Sequence, residues 1–331
     1  MRSCPLTHDV SRRDFVLTAL FGIGLAGSAA AQSFPSNVIR IVVPPGPGTP
    51  PDIISRIVAD ELAQTEGWSV IVENRPGALQ TIAMMDVAKR PADGYALLAM
   101  SVPMMATPTL LPKAGVRPEL DFAPVIKIST SYTALVVTPS LPVNSVAELV
   151  TLMKSKPGQL NFSSAGFGTP SHLIGEMFQV ETGVQAAHVP YQQFSQAIAD
   201  LIGGTNHFMF STTLPVVDLI ATGKLRALAV TAPKRIAALS EVPSIAEAGH
   251  PGLVMEDWLG FAVRNDTPPE IVAQLNQAVN KVLAKPKVRA ALAKIGATPA
   301  GGTPAEFGQL INTQVAHWAK VITQANIKLP Q

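Results

Sequence analysis

Twice in this chain an apolar run stops and the same five residue types follow, Gly-x-Gly-Thr-Pro. The first copy, Gly46-Pro47-Gly48-Thr49-Pro50, comes after Ile41-Val42-Val43, and the second, Gly166-Phe167-Gly168-Thr169-Pro170, comes after Asn161-Phe162-Ser163. Each type has a physical task where a strand passes into a helix. Glycine admits a left-handed backbone and lets another group approach the main chain. Threonine is a good N-cap, and proline suits the first helical turn, where a missing N–H loses no helix bond. Asp52 and His172 then fall at the third helical position, Asp52 completing something close to a capping box. First-turn N–H groups and the positive end of the helix dipole suit an anion. Because Pro50, Pro51 and Pro170 remove donors, the expected donors are the main-chain N–H groups of Gly48, Thr49, Gly168 and Thr169. One such loop is explained by a well-capped turn. Two, at the starts of separate α/β units, point to opposite walls of one cleft at the carboxyl ends of strands.

Strand and helix patterns alternate around both loops. Strands are predicted at 38–43, 70–72, 95–98, 134–137, 160–162, 188–190, 208–210 and 225–230. Helical spacing is found at 53–62, 82–88, 146–153, 171–180, 197–202, 214–221, 268–283, 286–295 and 304–325. That order predicts an α/β fold with largely parallel sheets. No low-complexity linker divides the chain, so two lobes require it to cross on strands near 123–138 and 249–261. This gives residues 32–130 with 254–331 as one lobe and 131–253 as the other.

The N-terminus reads as an export signal. Arg12-Arg13 stand before an apolar stretch that ends Ala29-Ala30-Ala31, a pattern that points to a cleavable Tat signal over residues 1–31 and to a periplasmic destination. The one cysteine, Cys4, lies inside it and before the apolar core, so no lipid anchor, disulfide or cysteine nucleophile is expected in the mature chain. A net charge of +2 and an aromatic content of 5% argue against nucleic acid as a partner. No histidines are spaced as metal ligands on one helix face, and Ser163-Ser164-Ala165-Gly166 lacks the nucleophile-elbow pattern. The rival from another class is a Tat-exported nicotinamide-dependent oxidoreductase, with Gly46-x-Gly48 after a strand and Glu73 at the end of the next. Pro51 at its third glycine position weakens it.

The chain resembles the receptors of tripartite tricarboxylate transporters, called Bug receptors in Bordetella and relatives. The resemblance rests on separate blocks in order: Ile39-Arg40-Ile41-Val42-Val43-Pro44, Val72-Glu73-Asn74-Arg75-Pro76-Gly77-Ala78, Asp93-Gly94-Tyr95, Lys156-Pro157-Gly158-Gln159-Leu160-Asn161-Phe162, His188-Val189-Pro190-Tyr191 and Gly223-Lys224-Leu225-Arg226-Ala227-Leu228. It implies a type II periplasmic-binding-protein fold, two lobes with a ligand cleft between them, and a carboxylated solute held by main-chain amides without an arginine clamp. It also implies no catalysis, no cofactor, and a tripartite-type membrane permease or a sensor protein as partner. A monomer is expected. Contacts to ligand are expected from Pro45, Gly46, Gly48, Thr49 and Asp52 in the first loop. In the second loop they are expected from Ser164, Gly166, Phe167, Gly168, Thr169 and His172. Ser101, Tyr191 and Ser211 complete the set. This sequence departs from the family pattern at Pro45, Thr49, Leu79-Gln80, the stretch Met100–Met105, Gln192-Gln193 and Ser211. These changes make a bulkier, less charged cleft, Ser211 argues against a zwitterionic amino acid, and the apolar Pro103, Phe167 and Phe194 favour a ligand with one carboxylate and an apolar or aromatic body over citrate.

Overall fold

Both Gly-x-Gly-Thr-Pro segments fold as strand-to-helix junctions, and a separate β-sheet is built around each. The computed structural model describes residues 34–191 and 193–328, so the expected export signal at 1–31, Cys4 and Gln192 lie outside the described residues. The first sheet contains β1 (Ile39–Val43), β2 (Val70–Asn74), β3 (Ala96–Ser101), β4 (Phe122–Ser131), β10 (Asp257–Arg264) and β11 (Thr298–Pro299). Its order is β11-β4-β10-β3-β1-β2. The second contains β5 (Thr133–Val137), β6 (Asn161–Ser164), β7 (Ala187–Pro190), β8 (Phe208–Thr212) and β9 (Arg226–Val230), in the order β7-β6-β8-β5-β9.

The two sheets share a design. In each, one central strand pairs in parallel with the next two strands of its unit: β1 with β2 and β3, β6 with β7 and β8. The helices α1 (Pro50–Glu66) and α5 (Pro170–Thr182) leave these central strands. Both helices end on a left-handed glycine, Gly67 and Gly183, whose N–H closes on the carbonyl four residues back, as an αL C-cap requires. The expectation of largely parallel sheets is corrected, because the remaining pairs, β10 with β3 and β4, β11 with β4, and β5 with β8 and β9, are antiparallel. The reason is topological. Strands that carry the chain from one sheet to the other arrive against the direction set by the βαβ units.

The crossings are narrow. The chain leaves the first sheet between Ser131 and Thr133 and returns between Val230 and Asp257. There the Thr133 N–H donates to Thr231 Oγ1 (3.0 Å) and the Thr231 N–H donates to the Thr133 carbonyl (2.8 Å). The Thr231 hydroxyl donates to the Met255 carbonyl (3.1 Å), and the Met255 N–H returns to the Thr231 carbonyl (3.0 Å).

Packing then fixes the junction helices. α5 buries Leu173, Ile174 and Phe178 against the second sheet, and at Gly175 an added Cβ would lie 2.3 Å from the Phe162 ring. Only glycine lets this helix lie so close to β6. Helices α2 (Thr81–Ala88), α4 (Val146–Ser155), α6 (Phe194–Ile202), α7 (Leu214–Ala221), α8 (Pro269–Leu283), α9 (Pro286–Lys294) and α10 (Pro304–Gln324) follow the predicted patterns, whereas α3 (Val102–Leu110) does not. No helix is expected from the sequence over that stretch, which holds Pro103 and Pro108. In the fold Pro103 takes the first turn and Pro108 lies near the end, where the lost N–H breaks a single bond.

Candidate functional site

The two loops share two hydrogen bonds and the backbone that makes them. Thr49 and Thr169 hold nearly the same backbone, φ −78°, ψ 157° and φ −71°, ψ 158°. Neither hydroxyl caps its helix. Each donates back across the loop, Thr49 Oγ1 to the Gly46 carbonyl (2.8 Å) and Thr169 Oγ1 to the Gly166 carbonyl (2.6 Å). Gly48 and Gly168 are left-handed, at φ 79° and 71°. Their N–H groups turn onto the side chain four residues on, Gly48 to Asp52 Oδ2 (2.9 Å) and Gly168 to His172 Nδ1 (3.0 Å).

This corrects part of the expected cradle. The N–H groups of Gly48 and Gly168 are engaged within the protein, and Asp52 and His172 are the groups that engage them. Asp52 also accepts from Arg56 Nε (3.1 Å), Arg56 Nη2 (2.9 Å) and Asn74 Nδ2 (3.0 Å). Burial alone would raise its pKa, but the bonds from Arg56, Gly48 and Asn74 outweigh it and hold the carboxyl below its ordinary value. Asn74 reaches on to the Pro45 carbonyl (2.9 Å), so the end of β2 is sewn to the first loop. With Gly48 turned inward and two prolines opening α1, the first-turn N–H groups left for a ligand are those of Thr49 and Asp52. In the second loop the corresponding group is that of Ser171. Phe167, expected as a lid, is half-buried with its ring edge-on to His172 (5.4 Å) and His188 (5.0 Å).

His188 is a residue that sequence reasoning missed as part of the site. It pairs with Phe162 across β6 and β7, stacks on His172 at 4.1 Å, and meets Ser164 Oγ through Nε2 at 2.6 Å. Ser164 Oγ also accepts from the Gly166 N–H (3.0 Å). Burial pushes His188 down to about 4, and burial together with the neighbouring His188 pushes His172 down to about 3. Both imidazoles are neutral at neutral pH. With His172 Nδ1 accepting from Gly168, its proton is assigned to Nε2, 3.7 Å from Glu176 Oε1. Burial raises Glu176 to about 7. The signal for His188 was its place directly opposite Phe162, which pairing register shows and one-strand periodicity does not.

Three other expected residues are placed as follows. The Tyr191 hydroxyl donates to Asp200 Oδ2 (2.7 Å) and accepts from Asn206 Nδ2 (2.7 Å), so it pins β7 to α6. This corrects the expected ligand contact through that hydroxyl. Ser211 is buried and donates to the Thr212 carbonyl (2.9 Å). Ser101, at the end of β3, donates to Gln80 Oε1 (3.1 Å). Met104, Met105 and Trp258 are core residues, Trp258 packing edge-on to Phe307 at 5.4 Å.

The turn containing Gln80 is strained. Ala78, Leu79 and Gln80 have φ of 46°, 50° and 71°, three left-handed residues in succession without a glycine. Each costs roughly 1–2 kcal/mol, so the surroundings must enforce the shape. The Gln80 N–H donates to the Gly77 carbonyl (2.9 Å), Thr81 Oγ1 to the Ala78 carbonyl (2.8 Å) and buried Thr107 to the Leu79 carbonyl (3.3 Å). Leu79 then reaches the other lobe. A Cβ added to Gly168 would stand 2.6 Å from Leu79 Cδ2, so the leucine methyls rest on the bare backbone of the second loop.

Among the described residues no cluster of three metal-ligating side chains exists. The nicotinamide reading loses its two supports, since Glu73 is ion-paired with Arg40 and Arg90 and Gly48 is turned to Asp52. Two β-sheet units with matched strand–loop–helix junctions, in a chain that resembles solved periplasmic binding proteins, define a binding protein of the type II periplasmic-binding-protein fold. The sequence profile described as tripartite tricarboxylate transporter family receptor matches residues 54–327, and the chain belongs to that family. It is 32% identical to BugT of Bordetella pertussis over 317 residues, 95% of this chain and 96% of that one. Among solved structures it resembles R. palustris Rpa4515 with adipate, at 36% identity and a TM-score of 0.80 over 89% of this chain and 99% of that one. It also resembles MatC from Rhodopseudomonas palustris with bound malate, at 30% identity and a TM-score of 0.78 over 87% and 100%.

Proposed function

We propose that this chain is an exported receptor that captures a small solute with one carboxylate and an apolar or aromatic body. One observation carries the reading: two lobes present the same strand–loop–helix junction, and Leu79 brings the first lobe onto the second junction at Gly168. In this reading the carboxylate lies between the loops and takes first-turn N–H groups of α1 and α5, where the helix dipoles favour negative charge. Pro45, Gly46, Thr49, Gly166 and Thr169 line the carboxylate, and Phe167 the body of the solute. Residues 32–130 with 254–331 and residues 131–253 act as the two lobes, closing on one ligand per monomer.

Tat export by the leader at 1–31 delivers the receptor to the periplasm, where it serves a tripartite-type permease or a sensor protein. The ligand leaves unchanged. Relatives solved with adipate and with malate support a carboxylate, the bulk of Leu79 supports an apolar body, and Ser211 leaves an ammonium group without an acidic partner. The test is a thermal-shift screen of mature protein against mono-, di- and tricarboxylic acids, with NADH alongside. A ligand at one hundred times its Kd adds about 2.7 kcal/mol of stability, easily seen as a rise in Tm. Saturable binding of NADH, or turnover of the best acid by mass spectrometry, would overturn the proposal.

A further inference from the structure

We infer that Leu79 is the specificity determinant of the cleft, an apolar wall that rejects a second carboxylate at the end of the ligand remote from the first. The inference rests on the carboxylate-receptor reading above and names which carboxylates it admits. Three observations meet at this side chain. Its backbone is left-handed at φ 50°, between two residues that are also left-handed. Such a turn projects the side chain away from its own helix. The shape is enforced from several sides, by the Gly77 carbonyl, Thr81, Thr107 and, through Gln80, Ser101. Leucine is a poor choice for such a conformation, and strain held in place by its surroundings marks functional positions.

The second observation is where the side chain ends. Its δ-methyls rest on Gly168, in the middle of the second loop. The third is what that loop offers there. The Gly168 N–H is turned onto His172, and the Phe167 ring packs on the two neutral imidazoles. The wall made by the Leu79 methyls and the Phe167 ring is therefore apolar, with the Gly168 N–H spent on His172. A carboxylate placed against it would lose its water without a partner, whereas a methyl or ring would lose nothing.

The probes are hexanoate and adipate, which share a six-carbon chain and differ in the far end. Calorimetry of the full mature chain should show hexanoate bound at least tenfold more tightly than adipate. Leu79→Gly should bring that ratio to within about threefold. Glycine accepts φ 50° without strain, so this variant should melt no lower than wild type, and Leu79→Asn, also tolerant of that conformation, should shift the ratio in the same direction. If either acid binds but wild type prefers adipate, or both variants keep the wild-type ratio within twofold, the assignment of Leu79 is wrong and the receptor reading stands. If no acid of the carboxylate panel binds any of the three proteins, the receptor reading fails and takes this inference with it.

Discussion

Replacing Asp52 by asparagine tests whether the first loop is held by its own carboxylate. The side chain is 3% exposed and receives Gly48 N, Arg56 through two nitrogens and Asn74 Nδ2. Bonds from neutral donors to a buried carboxylate contribute about 1.5 kcal/mol each. The Arg56 pair counts for less, about 0.5 kcal/mol, because Arg56 is 48% exposed and recovers water when released. Asparagine keeps the shape, but its amide nitrogen must face one of these donors. We therefore expect Asp52→Asn to be about as damaging as Asp52→Ala, each losing about 3 kcal/mol. For a chain of this size that lowers Tm by roughly 6 °C. Urea unfolding is the assay, with the midpoint falling and the slope unchanged. The sign with pH is also fixed. A carboxyl held below its unfolded value of 3.8 contributes stability above that pH and loses it as pH falls through the folded pKa. The asparagine variant should lack this acid-dependent part. If Asp52→Asn unfolds within 0.5 kcal/mol of wild type, the loop is not held in this way.

Three further outcomes are expected. Tyr191→Phe should lower stability by about 1–2 kcal/mol, since one of its bonds reaches the Asp200 carboxylate, and should leave carboxylate affinity within twofold; a large loss of affinity with unchanged stability would restore the hydroxyl to the ligand. Stability should fall as pH drops from 6.5 toward 4, because unfolded His172 and His188 take up protons that the folded chain, with pKa values of about 3 and about 4, refuses. Glu176, raised to about 7, acts oppositely, and its contribution is present below 4.5 and lost as pH rises through 7; a pH titration of urea midpoints in the double variant His172→Gln, His188→Gln should show a smaller acid fall, with His207 and His317, also lowered by burial, keeping the rest, and an undiminished fall would refute the assignment. Arg12→Lys with Arg13→Lys should leave unprocessed precursor in the cytoplasm, while wild-type protein begins near Gln32; normal processing of the variant would remove the Tat route.

The sequence was most legible where a local rule and the tertiary fold agree. The five-residue echo marked both junctions because each residue answers a backbone requirement, and α7 was bounded correctly by its apolar spacing alone. The hydrogen-bond partners within those junctions were not legible. Nothing in the spacing says that Thr49 bonds to Gly46 in place of its helix, or that Gly48 turns to Asp52. Tyr191 was misread for a related reason, since Asp200 and Asn206 come to it from around a helix. The strained turn at Leu79 was visible only as a departure from a family pattern, because propensity rules forbid what Thr107 and Ser101 enforce from another part of the chain.

The crossing at Thr133, Thr231 and Met255 has a kinetic consequence. Any rotation of one lobe about the other must be absorbed within a few residues whose buried hydroxyls and amides already satisfy one another. Thr133 and Thr231 continue the β5–β9 pairing of one lobe, and it is the two Thr231–Met255 bonds that tie it to the other, so opening in the proposed receptor would have to strain that pair. On the proposed receptor reading, residence time of the solute would be tuned at this crossing and choice of solute at the loops. Thr231→Val should shorten residence time and leave the ranking of ligands intact, so a receptor of this design can be retuned for delivery speed separately from selectivity.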